Sequence, residues 1–273
     1  MSIQALAHSR EDELAQEAFQ ALSVVMDPEL DEPVTDLGFV RSLVVSGDTG
    51  ADVELHLRLP TSFCSPNFAY LMVSDAKDVL TALPWTNVVV VELDDHHDSA
   101  VINAGMAADA GFDGTFGAEA EGGDLAELRS TFQRKAHTAA AERCLTALLR
   151  ADPERTVESL GTVTLADLPE DRLTEALLRR RQALGLPGRT DALVLVDHEG
   201  TGWPEGEVPL ALRRARSTRI SIDGNAHFCR GLLRTRYPDS GEDQVHRPEG
   251  AEPADGSYDP TFIPLSRLQE RLS

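Results

Sequence analysis

The pattern of apolar and polar positions predicts a series of helices and strands in the first third of the chain. One apolar helix face is formed by residues at spacings of four, four and three: Leu14, Ala18, Leu22 and Val25. Ser9 is predicted to begin this helix, because the residues from Ser9 to Asp12 resemble a capping box. Asp27 is predicted to end it, because the residue before a proline is disfavoured in helical geometry.

Two strands, a helix and a third strand are predicted to follow. The first strand covers residues 39–45, and the second alternates apolar with polar residues over Val53, Leu55, Leu57 and Leu59. A helix is predicted from Pro66 to about Leu83, since Ser65 suits the N-cap and proline suits the first helical position. The apolar residues 88–91 predict a strand that is buried on both faces or nearly so.

The rest of the chain has a different pattern. Residues 99–123 contain six glycines and little periodicity beyond a short helix near residues 101–110, so we interpret them as a Gly-rich linker. The predicted division is therefore a domain at residues 1–98, this linker, and a helix-rich accessory region of unknown type at residues 124–273. Residues 238–260 are rich in Pro, Gly, Asp and Glu and are predicted to be mobile.

The accessory region is predicted to be mostly helical with a few strands. Helices are expected at residues 124–150, 168–184 and 209–216, and strands at residues 192–196 and 219–222. The fold class is therefore α+β, with a small domain of one sheet and helices followed by this region.

Charge changes the picture of possible partners. The formal net charge is −21, and residues 1–124 hold 23 acidic but only 4 basic residues. Such a surface repels nucleic acid and anionic lipid, and favours cations, metal ions or basic protein surfaces as partners. Solubility alone is the alternative reason for the acids. Since neither a run of about 18 apolar residues nor a signal peptide is visible, a cytoplasmic protein is expected.

The cysteines limit the chemistry. Cys64, Cys144 and Cys229 lie far apart, with no CxxC pair and no disulfide framework. A cluster held by one chain's cysteines needs about four thiolates, so any cluster here needs mixed ligands, an oligomer or transient binding. Cys64 directly precedes a predicted helix N-terminus, where the helix dipole stabilises a thiolate. A reactive Cys64 and an inert, buried one stay open, whereas packing is the expected role of Cys144 and Cys229. Cys229 also has the alternative of a metal site with His227.

Acidic and histidine residues supply further candidate ligands. The loop after the first helix carries Asp27, Glu29 and Asp36, whose oxygens suit hard cations, and solvated side chains are the alternative. His96 and His97 lie in an Asp-His cluster after the third strand and are candidate additional ligands. GxSxG, Walker, GxGxxG and HExxH motifs are missing, so a familiar enzyme is not indicated. A hydrolase that uses Asp94 with both histidines stays a minor hypothesis.

Three segments together resemble a known family. These are Val25-Met26-Asp27-Pro28-Glu29-Leu30, then Val34-Thr35-Asp36-Leu37-Gly38-Phe39-Val40, then a Thr-containing loop with Cys64 before a helix. Over about residues 9–95, this order is similar to the Fe–S cluster assembly domain family (PaaD/SufT-like metal–sulfur cluster biosynthetic proteins). By resemblance, Cys64 falls on the family's loop cysteine and the acids on its acidic motif. Thr61 departs from the family spacing, being three rather than four residues before Cys64.

The resemblance implies a metalloprotein maturation factor that assists Fe–S cluster or metallocentre assembly. It implies a transient Fe–S cluster or iron as cargo, and a client metalloprotein or other assembly proteins as partners. The long extension has no counterpart in the short family members, and long versions of the domain look like dedicated accessory factors of bacterial multicomponent oxygenases. The alternative is a metal-free chaperone or adaptor that binds a client subunit, and oligomerisation stays open.

Overall fold

Helix α1, Ile3–Ala21, begins the N-terminal domain. The computed structural model describes residues 3–47, 50–117, 125–238 and Ser240. The predicted apolar face is confirmed, because Leu14, Ala18 and Leu22 are fully buried. The helix begins at Ile3 rather than at Ser9, since the preceding Gln, Ala and Leu residues are good helix formers that extend it.

The strands of the described residues form two small sheets. Strands β1, Met26–Asp27, and β2, Glu32–Pro33, pair as a short antiparallel hairpin around the acidic loop. Strands β3, Val40–Ser46, and β4, Ala51–Arg58, are antiparallel, and β4 is parallel to β5, Thr86–Asp94. The strand order is therefore β3-β4-β5.

Helix α2, Pro66–Thr81, connects the two parallel strands and begins at the predicted residue. A parallel pair needs such a crossover connection. The prediction that residues 88–91 are buried on both faces is wrong, because Val88 and Val90 are 51% and 43% exposed. Core residues back one face of the sheet, so successive side chains of β5 alternate between core and solvent.

Helices α3, Ser99–Ala107, and α4, Gly111–Phe116, occupy the described part of the segment interpreted as a Gly-rich linker. Helix α3 confirms the short helix predicted there, and its Ile102 is fully buried in the N-terminal core. Gly105 permits close packing of the two helices, since a Cβ at this position would lie 2.1 Å from Thr115 Oγ1. The rest of this segment lies outside the described residues.

Three longer helices build the C-terminal region: α5, Leu125–Ala151, α6, Arg172–Ala183, and α7, Val208–Arg236. The α+β fold class is confirmed. The strand predicted at residues 219–222 is wrong, because these residues lie within α7. Residues 192–196 form only isolated bridges rather than a continuous strand. Both predictions followed β-branched residues, whose strand preference depends on packing context.

Helix α7 contributes to two hydrophobic cores. Val208 and Leu212, in its first turns, are buried in the C-terminal core with residues of α5. Ala226 and Leu233, near its end, are buried in the N-terminal core. The helix has 29 residues, which corresponds to a length of about 43 Å. It therefore joins the two parts of the molecule along one continuous rod.

Further contacts hold the helical region on the N-terminal domain. Arg129 of α5 donates two hydrogen bonds of 2.7 Å to the Asp75 carboxylate of α2. The rings of Phe68 and Phe132 meet edge to face at 5.0 Å. The segment predicted to be mobile, residues 238–260, falls outside the described residues apart from Pro238 and Ser240. Among the described helices, none combines the length and the apolar character that a membrane span requires.

Candidate functional site

Cys64 lies on the loop that connects β4 to α2, directly before the helix N-terminus. The loop ends at Ser65, whose side chain makes no capping hydrogen bond, and Pro66 begins α2. The Cys64 thiol is free and partly exposed. Since the first N–H groups of a helix and its dipole favour negative charge, this position suits a thiolate.

Thr61 lies beside the thiol despite its unusual spacing. Its Oγ1 is 3.5 Å from Cys64 Sγ, and it accepts a hydrogen bond of 3.2 Å from the Phe63 N–H. Either Oγ1 or Sγ can donate in this contact, but a thiolate has no proton, so the Thr61 hydroxyl would then be the donor. The Thr61 hydroxyl is therefore placed to stabilise a thiolate.

His96 fastens the Cys64 loop to the end of β5. Its Nδ1 accepts a hydrogen bond of 3.1 Å from the Asp98 N–H, so its Nε2 carries the proton and donates to the Cys64 carbonyl at 2.9 Å. The residue is only 7% exposed. Ligation of a metal by His96 would require one of these bonds to break, so its position suits holding the loop.

His97 has a different environment from its neighbour. Its backbone N–H donates to the Ser62 carbonyl at 2.9 Å, while the residue is exposed. The ring lies 5.9 Å from that of Phe63, which is 81% exposed. The two candidate histidines therefore contact the same loop, but only the His97 side chain faces solvent.

Asp27 is a buried carboxylate at the start of the acidic loop. It accepts hydrogen bonds from the N–H groups of Glu29 and Leu30 at 2.8 and 2.9 Å. Burial raises the pKa of Asp27 from 3.8 to about 6, although the two N–H groups lower it and the Glu29 charge raises it further. The structure thus keeps an ionisable group where its charged form is costly.

Asp36 lies in the same cleft as Asp27. It accepts a hydrogen bond of 3.3 Å from the Thr35 hydroxyl and lines a cleft of about 640 Å³ between the N-terminal domain and helices α5 and α6. Asp27 lines the same cleft, whereas Cys64 does not. The predicted site residues therefore divide, with Thr61 beside Cys64 and Asp36 in the cleft.

Cys229 of α7 is a residue whose placement the sequence did not reveal. It packs against the N-terminal core together with Cys64. Burial raises the pKa of Cys229 to about 12, and negative charge on Asp27, Cys64 and Glu29 raises it further. The sequence does contain a signal, since Ile222, Ala226, Cys229 and Leu233 form a stripe with helical spacing. Because residues 219–222 were predicted as a strand, this part of the chain was not expected to belong to one helix with Cys229.

The end of α7 also holds the Cys64 loop. Arg236 donates hydrogen bonds to the Leu59 carbonyl at 3.1 Å and to Ser62 Oγ at 2.8 Å, and it also contacts the Asp95 carbonyl. Tyr237 donates its hydroxyl proton to the Asp95 carboxylate at 2.9 Å. The C-terminal region therefore holds the first part of the loop, at Leu59 and Ser62, and the segment after β5, at Asp95.

A separate group of ionisable residues lies on the sheet. Within the described residues, one set of three side chains could hold a metal ion: His56, Glu92 and Asp94. The His56 nitrogens are 3.0 Å from Asp94 and 3.0 Å from Glu54, which raises the pKa of His56, mainly through the bond to Asp94. Arg41 also binds Asp94, at 2.8 Å. These contacts form an ion-pair network, and the set of possible ligands around Asp94 does not include His96 or His97.

A comparison with protein families finds one match within the N-terminal domain. Residues 15–93 match the model of the iron-sulfur cluster assembly protein family. This segment is therefore similar to that family, and we refer to it as the assembly domain. The resemblance expected over about residues 9–95 is thus confirmed, and the assembly domain carries Asp27, Thr61 and Cys64. The match does not extend to α3–α7. Searches of curated proteins and of solved structures gave no match.

Proposed function

We propose that this protein is a maturation factor that helps to assemble an Fe–S cluster or another metallocentre in a client enzyme. The observation that carries the proposal is Cys64, a partly exposed thiol with a hydroxyl donor, on the loop of an assembly domain. A bacterial multicomponent oxygenase is the client class suggested by the resemblance, and the cytoplasm is the expected compartment.

The chemistry of the donor set suits transient cargo. A thiolate at Cys64 is a soft ligand for iron, and the Thr61 hydroxyl and the N-terminus of α2 stabilise its charge. Cys144 is buried in the C-terminal core, where burial raises its thiol pKa to about 12. One chain therefore cannot supply the roughly four thiolates that enclose a cluster. Open coordination positions would let a client take the cargo.

The helical region supplies a surface for a client protein. Arg181 and Arg230 are buried, but Arg213, Arg214 and Arg216 on α7 are exposed. Basic side chains on one helix attract an acidic partner and accelerate association. We therefore assign client recognition to this region, and metal handling to the assembly domain.

The proposal is tested with variants in the native host. The tagged full-length chain is used to capture the client, and the iron and acid-labile sulfide of the client are measured. Cys64→Ala is expected to leave folding intact and to lower the metal content of the client, while Cys144→Ala serves as the matched cysteine control. A client that is fully loaded in the Cys64→Ala strain would refute the role of Cys64.

A metal-free adaptor is the second candidate. The observation that favours it is the exposure of Phe63 and Phe228, at 81% and 65%, because exposed aromatic residues are typical of protein contacts. Iron and sulfide analysis of protein purified without oxygen separates the two functions. Persistent absence of metal together with stable client binding would favour the adaptor.

A further inference from the structure

Helix α7 brings a second thiol to the assembly domain. Cys64 comes from the family domain and Cys229 from the region that the family model does not cover. Both are free and partly buried, and both pack against the same hydrophobic core. Ala226 and Leu233, on the same face of α7 as Cys229, are buried within that core. The thiol therefore lies on the side of the helix that faces the assembly domain.

Contacts of Asn225 and Arg236, which lie before and after Cys229 on α7, show where Cys229 lies relative to the two loops. Asn225 Nδ2 donates to Glu29 Oε1 at 3.2 Å, and Arg236 donates to Ser62 Oγ at 2.8 Å. With a rise of about 1.5 Å per residue, Cys229 lies roughly 6 Å along the axis from the first contact and about 10 Å from the second. It therefore lies between the acidic loop and the Cys64 loop.

An ion pair fixes the orientation of α7 at Cys229, and acidic residues lie near this position. Arg230, the next residue along α7, forms a buried ion pair with Glu32. This pair fixes the rotation of the helix at Cys229. Asp27 and Glu29 are close enough to Cys229 to act on it electrostatically, as is Cys64. Negative charge near the thiols favours a cation bound by them.

We propose that Cys64 and Cys229 are the paired thiolate ligands of one site for a thiophilic metal cation, formed where α7 meets the Cys64 loop. The inference rests on the proposed metal-handling function and adds a ligand from outside the family domain. On binding, each thiol exchanges its S–H proton for an S–metal bond, and the protons pass to solvent. Two protein thiolates leave coordination positions open for water or for a client.

Cobalt(II) is a direct probe of this site. The full-length protein is titrated with Co²⁺ without oxygen, and the thiolate-to-cobalt charge-transfer absorbance is recorded for wild type, Cys64→Ser, Cys229→Ser and the control Cys144→Ser. Loss of either thiolate ligand is expected to remove about half of the absorbance and to weaken binding roughly tenfold. The control should match wild type. Full absorbance in Cys229→Ser, or none in wild type, would overturn the proposal.

A measurement on the wild-type protein avoids any folding defect of the variants. Mass spectrometry maps alkylation by N-ethylmaleimide with and without Co²⁺. Bound cobalt is expected to protect Cys64 and Cys229 together. Unchanged alkylation of Cys229 would contradict the proposal.

The two proposals fail in different ways. If Cys64→Ala lowers client metal while cobalt does not involve Cys229, the paired site is wrong and the proposed function stands. If the client is loaded normally in the Cys64→Ala strain, the role of Cys64 in the proposed function is wrong, even where cobalt binds both thiols.

Discussion

Arg230 of α7 forms a buried ion pair with Glu32 of β2, 198 positions earlier in the chain. Burial lowers the pKa of Arg230 to about 10, so the guanidinium still carries its charge at neutral pH. Glu32 lies within the acidic loop, between Glu29 and Asp36. The pair therefore fastens the C-terminal helix beside the loop that contains Asp27.

Removal of one partner of this pair should destabilise the protein strongly. Glu32→Gln leaves the Arg230 charge buried without its counter-ion, which is expected to lower the free energy of unfolding by about 3–5 kcal/mol. Urea unfolding measures this change. The exposed pair Arg10–Glu13 offers a matched control, and Glu13→Gln should change stability little. Equal effects of the two variants would contradict the role of the buried pair.

Asp27→Asn should stabilise the protein at neutral pH. The folded-state pKa of Asp27 is raised from 3.8 to about 6, so its contribution to stability is present below pH 4 and is lost as pH rises to 6. The amide oxygen can still accept the bonds from Glu29 and Leu30 without the buried charge. A gain of about 1–3 kcal/mol is expected at pH 7 and little gain below pH 4. Urea unfolding at both pH values tests this, and an equal effect at both would exclude it.

His137 should produce the opposite pH dependence. Burial lowers the pKa of His137 from 6.5 to about 4, with further lowering by Arg181 and Arg180. Stability is therefore complete above pH 6.5 and falls as the pH decreases to 4, by about 3 kcal/mol. His137→Gln should flatten this decrease, and the exposed His198→Gln is the control. Unfolding curves between pH 4 and 7 measure it, and a profile identical to wild type would refute the assignment. The pH ranges in which Asp27 and His137 change the stability overlap, and the two changes have opposite sign. Each variant removes one of these changes, so the pH dependence caused by the other residue should become visible.

The two neighbouring histidines should differ in their effect on Cys64. His96→Ala removes bonds to the Cys64 carbonyl and to the Asp98 N–H. A loss of about 1–3 kcal/mol and faster alkylation of the Cys64 thiol are expected, since the loop loses its attachment. His97→Ala is the matched control, because the His97 side chain is exposed. If both variants leave the alkylation rate unchanged, His96 does not hold the loop.

Leu233→Ala should destabilise the assembly domain, although Leu233 lies in α7, far from this domain in the sequence. Leu233 is 2% exposed and lies in the N-terminal core, so its truncation is expected to cost about 2–5 kcal/mol. Faster hydrogen exchange in β3 and β4 would show that the domain itself is affected. Ile220→Ala, at a position of the same helix that is 50% exposed, is the control. Increased exchange in α7 alone would argue against the shared core.

Local signals in the sequence predicted most of the N-terminal domain. The apolar face of α1 and the start of α2 at Pro66 depend on nearby residues, and both are confirmed. The exposure of Val88 and Val90 was missed because it depends on which face of the sheet the rest of the chain covers. The proximity of Cys229 to the Cys64 loop was missed for a similar reason, since the helical stripe that contains Cys229 does not show which part of the chain it packs against.

The sharing of α7 between two cores has a consequence for synthesis of the chain. The assembly domain spans residues 15–93, but its core contains Ala226 and Leu233. The core of the assembly domain therefore stays incomplete until α7 has been translated. Proteins usually fold domain by domain from the N-terminus. Here the Cys64 loop gains its contacts with Arg236 only at the end, so the thiol reaches its final setting late in biosynthesis.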